Sequence, residues 1–328
     1  MAQSKVANTT RKLIFIRQDP SIDMAANPEY IDVAKELSKI NRRSYRQGMN
    51  YAIENIKITH STTQPGTMMI LSCPQLWTVD NATTKIYNLW MEQRKEALKL
   101  NPELKAKWSD FKVFLDSQHK ASWALDNLKQ IYFNDVGTTA IVPEGEWDPS
   151  KITFPDFDAQ PGQGQPNKPM HIVGYNVPNA DLDAQTESIG IVHEYMNTKS
   201  KVLVPDPTPM VPDPEDGLYN LLSSHDEISM TSLTNVMTHN DAPPYDRDVM
   251  AGDGSFPILH NVAYGRFQNF GNTSGDWTEF DTGPVILPFG LVKFVWYPEE
   301  PHQTNINPVI EITVAPGKYK GVLAERGV

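Results

Sequence analysis

The sequence predicts a β-rich domain in which short strands are joined by long, rigid loops. The 328-residue chain contains 26 prolines beside an ordinary 19 glycines, and its apolar residues fall in scattered short runs. Proline fixes the backbone angle φ and is confined to turns, sheet edges and helix starts. Short apolar runs separated by such residues are typical of sandwiches and barrels. The overall composition is that of a globular protein of one or two domains.

The first eighty residues contain three strand patterns and one helical pattern. A short apolar run predicts a strand or an anchoring arm over residues 13–16. Apolar residues at helical spacing predict a helix over residues 28–40, with Asn27 as its N-cap. Alternating apolar residues then predict a long strand over residues 45–59, broken once by a bulge, and a second strand over residues 67–77.

Residues 80–131 change character and predict a helical insertion in one loop of the β domain. An amphipathic pattern covers residues 83–100, and Pro102 begins a second pattern with apolar residues at 108, 111, 114 and 115. A separate small helical domain is the alternative. It is disfavoured because strand signals resume without a linker.

The rest of the chain predicts further strands between irregular segments. The strand patterns lie at residues 172–173, 189–196, 258–267, 285–297 and 309–314. Residues 205–214 are rich in proline, which indicates a rigid loop or a polyproline recognition segment. Residues 218–237 fit either a helix or short 3₁₀ pieces.

Cysteine and leader signals bear on the compartment. Cys73 is the only cysteine, so an intramolecular disulfide is excluded and a reducing compartment is expected. Cys73 itself is expected to be a small buried hydrophobe. No apolar run has the length of a membrane span, and the first fifteen residues show no secretory signal.

Charge is unevenly distributed along the chain. The formal net charge is −11, whereas the first fifty residues carry nine basic and five acidic side chains. This asymmetry predicts a mildly basic N-terminal arm over residues 1–42 that meets an acidic partner, followed by one domain over residues 43–328. A solvated amphipathic start to the fold is the alternative.

The sequence shows no pattern of an enzyme site. The eight histidines have no metal-binding spacing, and neither a nucleophile elbow nor a phosphate-binding loop is present. We therefore expect no catalytic residue and no cofactor. Three acidic residues of one loop form a weak calcium candidate: Asp246, Asp248 and Asp253. Solvated loop charge is the favoured alternative.

The segment 240–246 combines prolines with turn-forming residues and precedes an apolar run. It predicts a rigid surface turn that feeds a buried strand. With no catalytic chemistry of its own, the turn is expected to pack against copies of the same chain. The residues predicted for this intersubunit contact are Asp241, Pro243, Pro244 and Tyr245.

Several segments, in their order along the chain, resemble the capsid proteins of circular, replication-initiator-encoding single-stranded DNA viruses (CRESS-DNA viruses) and their environmental relatives. The resemblance spans residues 43–322, and each of its pieces is weakly specific. The matching segments are residues 43–49, 89–90 with 107–111, 145–148, 240–246, 288–291 and 314–322.

The resemblance implies a single jelly roll, an eight-stranded antiparallel β-sandwich of two sheets. It also implies self-assembly into a small icosahedral shell around a circular single-stranded DNA genome, with a host surface receptor as a further partner. The chain would then be found in the virion and, during assembly, inside the host cell. No membrane partner is implied.

The family's role in packaging carries over only to the basic positions of this chain. Many such capsids have an arginine-rich arm, whereas few cations are present here, which predicts weak and salt-sensitive binding. The candidate nucleic-acid-binding residues are Lys5, Arg11, Lys12, Arg17, Arg42, Arg43 and Arg46.

Two other functions compete with the shell. A lectin-like β-sandwich would bind carbohydrate through loop tryptophans such as Trp147 and Trp277. A cupin-type enzyme would share the jelly roll but would need clustered histidines.

Overall fold

The computed structural model describes residues 9–24, 26–61, 65–106, 109–123, 125–133, 137–153, 167–178, 186–200, 259–267, 277–299 and 306–327. Most of its regular structure is antiparallel β-sheet. The strands are β1 (Lys12–Arg17), β2 (Glu29–Asp32), β3 (Met49–Ser61), β4 (Gly66–Ser72), β5 (Leu128–Phe133), β6 (Thr139–Ile141), β7 (Lys151–Thr153), β8 (Asn167–His171), β9 (Val177–Pro178), β10 (Thr186–Gly190), β11 (His260–Phe267), β12 (Trp277–Asp281), β13 (Val285–Leu287), β14 (Leu291–Pro298), β15 (Val309–Val314), β16 (Pro316–Gly317), β17 (Gly321–Val322) and β18 (Ala324–Arg326). The helices are α1 (Val33–Asn41), α2 (Trp77–Leu100), α3 (Ser117–Trp123) and α4 (Ile191–Ser200).

Two antiparallel sheets form the body of the molecule. The larger sheet has the strand order β12-β3-β15-β1-β5-β6, with β13 and β18 also pairing with β3. The second sheet has the order β11-β4-β14-β2. Within the described residues the larger sheet ends at β12 and β6, so it is open and does not close into a barrel.

One apolar core lies between these two sheets. Side chains alternate along the strands, so that Phe15, Ile56 and Ile312 of the larger sheet are buried in the same cluster as Phe294 and Trp296 of the second. This arrangement is consistent with a β-sandwich, in which the inner faces of two sheets share one core.

Residues between 13 and 37 contribute to this core. Strand β1 lies between β15 and β5, and its residues Leu13 and Phe15 are completely or almost completely buried. The prediction of an N-terminal arm over residues 1–42 is therefore wrong for residues 12–41. A short apolar alternation is compatible with an extended arm as well as with a buried strand. The pairing of β1 with β15 and β5 shows that this segment is a buried strand.

A long insertion connects β4 to β11. It contains α2, α3, α4 and strands β5 to β10, and it has a second apolar core built around Phe111, Leu115, Met170 and Ile191. Strands β5 and β6 of this insertion extend the larger sheet beyond β1. The segment predicted to be helical, residues 80–131, contains most of α2, a 3₁₀ turn and α3, and it also includes the start of strand β5.

The strand predictions at residues 13–16, 45–59, 67–77, 258–267 and 309–314 are confirmed, with shifts of a few residues at their ends. The pattern at 285–297 forms β13 and β14, separated by a 3₁₀ turn over Pro288–Gly290. In that turn Phe289 has a φ of 58° and Gly290 a φ of 67°.

Three local predictions are corrected. Residues 29–32 form a strand that pairs with β14, so helix α1 begins after Asp32 rather than at Pro28. The helix predicted to begin at Pro102 is only a 3₁₀ turn over Pro102–Ala106. Further along, the Phe114 N–H donates to the Met170 carbonyl and the Phe114 carbonyl accepts from the Ile172 N–H, so this part of the chain is extended. The predicted strand at residues 189–196 is the end of β10 followed by α4.

Candidate nucleic-acid interface

Arg17 is a buried structural residue. Its side chain points into the core from β1 and is 3% exposed. Its Nε lies 3.2 Å from Glu29 Oε1, and its Nη1 and Nη2 donate to the carbonyl oxygens of Ile306 and Ile22, both at 2.6 Å. Every arm of the guanidinium is therefore engaged, and the prediction that Arg17 binds nucleic acid is wrong.

Arg11 and Lys12 are held by the larger sheet. Lys12 Nζ lies 2.7 Å from Glu311 Oε2 on the adjacent strand β15. Arg11 Nη1 donates to the Val314 carbonyl at 3.1 Å and lies 3.6 Å from Glu54. Both side chains are partly exposed, but nearby carboxylates offset their charges.

Three predicted arginines lie together on an exposed turn between α1 and β3. Helix α1 ends at Asn41, and Arg42 takes the left-handed conformation that stops it, with a φ of 50°. Arg42, Arg43 and Arg46 are all exposed. One carboxylate oxygen of Asp110 lies 3.7 Å from Arg46 Nε.

Lys320 joins this turn from the other end of the chain. It lies between β16 and β17, and its Nζ donates to the carbonyl oxygen of Ser44. Partial burial, followed by the positive charges of Arg46 and Arg43, lowers the pKa of the Lys320 amine. Four cations thus share one surface, which we call the basic cluster: Arg42, Arg43, Arg46 and Lys320.

Sequence reasoning missed Lys320. The signal was available in residues 318–320, where two lysines flank a tyrosine, but Lys320 is some 275 residues away from the arginine turn. Only the pairing of the chain ends in the larger sheet brings the two segments together.

Two tyrosines hold the basic cluster in place. The Tyr45 hydroxyl donates to the Lys320 carbonyl at 3.0 Å, and the Arg46 backbone N–H donates to the Tyr319 hydroxyl at 3.1 Å. The two rings meet edge to face with centroids 6.0 Å apart. The backbones of both segments are therefore fixed, while the cationic side chains extend into solvent. Such a surface can bind phosphate oxygens through charge-assisted hydrogen bonds.

Trp147 and Trp277 differ in exposure. The Trp147 indole N–H donates to Asp32 Oδ2 at 2.9 Å, and Lys112 lies 4.5 Å from the centre of its ring. Trp277 on β12 is 57% exposed. Of the two tryptophans predicted for sugar binding, Trp277 is exposed and Trp147 is partly buried.

A serine–histidine pair lies within the insertion. Ser188 Oγ is 2.8 Å from His171 Nδ1, and the other ring nitrogen of His171 is 2.9 Å from the Tyr175 carbonyl oxygen. Both side chains are completely buried, and burial lowers the pKa of His171. The pair therefore joins β8 to β10 and is closed to substrate.

The remaining reactive groups are buried or scattered. Cys73 is buried, and burial raises the pKa of its thiol. Among the described residues no three His, Cys, Asp or Glu side chains come together as metal ligands, and no helix has the length and apolar character of a membrane span.

Several predicted residues lie outside the described part of the chain. They are Lys5, the four loop residues Asp241, Pro243, Pro244 and Tyr245, and the calcium candidates Asp246, Asp248 and Asp253. The segments 205–214 and 218–237 also lie outside it. No protein-family model, no curated protein and no solved structure matches this chain.

Proposed function

We propose that this chain is a jelly-roll capsid subunit that assembles into a closed shell around single-stranded DNA. The supporting observation is the order in which the main strands pair. In chain order these strands are β1, β2, β3, β4, β11, β12, β14 and β15. The first pairs with the last, the second with the seventh, the third with the sixth and the fourth with the fifth.

This nested pairing supports the jelly roll. A long antiparallel hairpin that winds around itself produces nested pairs of this kind, distributed over two sheets with two Greek keys. Strand β15 additionally pairs with β3, and β14 with β4, which joins the four pairs into the two sheets. Every one of these pairs is antiparallel.

A jelly roll alone does not define a function, because capsid proteins, lectins and cupins share it. A shell is compatible with the exposed apolar side chains. Several large apolar side chains are exposed at separate places on the described surface, among them Phe133, Tyr264 and Ile286. Contacts with other subunits would remove these side chains from water.

The basic cluster supports a nucleic-acid cargo. Its cations come from two distant segments and face solvent with Asp110 as a nearby partial counter-charge. Binding to single strands releases counterions in proportion to the phosphates neutralised. A cluster of four cations per subunit therefore gives weak binding that many subunits multiply inside one shell.

The state of assembly tests this proposal. The purified protein should form uniform closed particles in negative-stain micrographs and in sedimentation velocity, with and without calcium. A monodisperse monomer across about pH 5 to 8 would exclude the shell. Most ionisable side chains keep one charge state within that range, so the choice of pH would not explain a failure to assemble.

A lectin-like module remains the second candidate, and the exposed ring of Trp277 favours it. A glycan array distinguishes the two functions. Sugar binding that disappears in Trp277→Ala, in a protein that stays monomeric, would establish the lectin in place of the capsid.

A further inference from the structure

Strand β6 forms one end of the larger sheet. Residues Thr139–Ile141 pair with β5, and among the described residues no strand lies on their other side. The segment from Thr138 to Val142 contains no charged residue. Natural proteins usually protect exposed edges with lysine, proline or a bulge, because an unprotected edge is a template for another strand.

The pairing of β6 with β5 defines which backbone groups face outward. The Val142 N–H donates to the Gln130 carbonyl at 2.8 Å, and the register places Ala140 opposite Tyr132. Bonded pairs recur at every second residue of an antiparallel ladder, so Ala140 directs its N–H and C=O toward β5. The N–H and C=O groups of Thr139 and Ile141 consequently point away from the sheet.

Apolar side chains lie beside these outward groups. Ile14, Ile131 and Ile141 follow one another in register across β1, β5 and β6, and Phe133 lies next to Thr139. Phe133 is 69% exposed and Ile141 is 43% exposed. Within the described part of the chain, the end of the sheet therefore offers both unpaired backbone groups and uncovered apolar surface.

The edge is complementary to itself. When two copies of β6 are antiparallel about a two-fold axis at Ala140, Thr139 faces Ile141 of the partner subunit as a hydrogen-bonded pair. The axis repeats this pair, which gives four backbone hydrogen bonds. The same register brings Ile141 against the small Thr139 of the partner subunit, with Phe133 of the partner subunit directly behind it.

We propose that β6 pairs with β6 of a second copy and makes the larger sheet continuous across two subunits. A three-residue edge buries far less than the roughly 800 Å² per partner of a standard interface. One such contact is weak and depends on the other contacts of a closed assembly, so the inference rests on the proposed shell.

Disulfide trapping tests this contact directly. The two Ala140 residues would form a non-hydrogen-bonded pair with Cα atoms about 4.5 Å apart, which lies within the roughly 4.4–6.8 Å that a disulfide spans. Oxidised Ala140→Cys should therefore run largely as a covalent dimer under non-reducing denaturing conditions. The wild type, whose Cys73 is buried, and Glu325→Cys, exposed on β18, should stay monomeric.

A charge placed at the edge gives a second measurement. Ile141→Lys adds a cation to a side chain that is already exposed, so the subunit should keep its thermal stability. Its particle yield should fall by about tenfold or more, since tenfold corresponds to ~1.4 kcal/mol of lost contact energy. The change Glu325→Lys, also at an exposed position, should leave the yield unchanged.

The outcomes separate this inference from the proposed function. Normal particles from Ala140→Cys without a disulfide dimer would overturn the β6 contact and leave the shell standing. A disulfide dimer from a protein that never forms particles would support the contact and overturn the shell.

Discussion

Arg17 and Glu29 form the most deeply buried ion pair described in the two sheets. Asn127 Nδ2 also donates to Glu29 Oε1, at 3.0 Å. Burial raises the pKa of Glu29, and the Arg17 charge opposes that effect. Removing one partner of such a pair leaves the other charge buried and uncompensated, which costs far more than an exposed pair contributes.

Replacing Arg17 should therefore destabilise the fold. We expect Arg17→Met to lower the free energy of unfolding by about 3–5 kcal/mol, measured by urea denaturation at neutral pH. The matched change Arg46→Met, at an exposed arginine, should stay within about 0.5 kcal/mol. Equal effects at the two positions would show that Arg17 contributes no more than a surface charge.

His119 is a buried neutral histidine. The Leu115 backbone N–H donates to its Nδ1 at 3.1 Å, and its ring stacks on Tyr30 with centroids 4.2 Å apart. Burial, with Asp116 opposing, lowers the pKa of His119 to about 3. The neutral ring therefore stabilises the fold above the unfolded pKa of about 6.5, and this contribution is lost as the pH falls toward about 3.

The pH dependence of stability should report this histidine. We expect the free energy of unfolding to fall by up to ~1.4 kcal/mol for each pH unit below about pH 6.5. His119→Asn keeps an acceptor for Leu115 and removes the titration, so the difference between wild type and variant should shrink as the pH falls. Buried carboxyls such as Glu29 are common to both proteins and cancel in that difference. A constant difference across the range would contradict the assignment.

At the scale of elements, Asp32 joins strand β2 to helix α1. Its Oδ1 accepts from the backbone N–H groups of Ala34 and Lys35, which caps the helix, and its Oδ2 accepts from Gln47 and Trp147. One carboxylate thus ends a strand, starts a helix and connects the insertion to the sheets.

Asp32→Ala should remove all of these functions together. The lost cap costs ~1 kcal/mol, and each buried donor left without an acceptor costs about 1–3 kcal/mol. With Gln47 as the buried donor that loses this acceptor, we expect a total loss of about 2–4 kcal/mol, measured by chemical denaturation. The exposed neighbour Asp148→Ala is the control, and a loss at Asp32 no larger than the loss at Asp148 would disprove this role.

This junction also shows what periodicity predicts and what it does not. The helical spacing of apolar residues correctly indicated α1, but the same spacing extends into residues 29–32, whose strand state depends on hydrogen bonds to β14. Strands with strict alternation, such as β15, were predictable because both periodicity and burial favour one state. In the site, the arginine turn was predictable from local charge. The burial of Arg17 and the approach of Lys320 depend on contacts between distant segments.

At the scale of the whole molecule, the basic cluster exists only because the two ends of the chain meet. The turn at residues 42–46 follows α1, whereas Lys320 follows β15, the last main strand. Any ligand of this cluster therefore binds the folded sheet and has no equivalent site on either segment alone.

Binding to a fluorescent oligothymidine should depend on the cluster and on salt. Changing Arg42, Arg43 and Arg46 to Gln should weaken binding and reduce the slope of log K against log[salt] by about 2, since each phosphate contact to a single strand contributes roughly 0.7. Changing Lys95, Lys99 and Lys105 to Gln removes the same charge elsewhere and should leave the slope close to that of wild type. Fluorescence anisotropy at several salt concentrations measures this slope for each protein. Equal slopes in both triple variants would rule out a defined site.

The position of β1 between β15 and β5 has a consequence for protein synthesis. Lys12 pairs with Thr313, about 300 residues later, so roughly 15–60 s pass between the synthesis of β1 and that of its partner strand β15. Strand β5 reaches the other edge of β1 after little more than a third of that time. Strand β5 of the insertion can therefore cover one edge of β1 before β15 is synthesised, when β1 would otherwise be open to other nascent chains. Ribosomes that stall before residue 309 would release chains with one uncovered β1 edge, a natural substrate for chaperones.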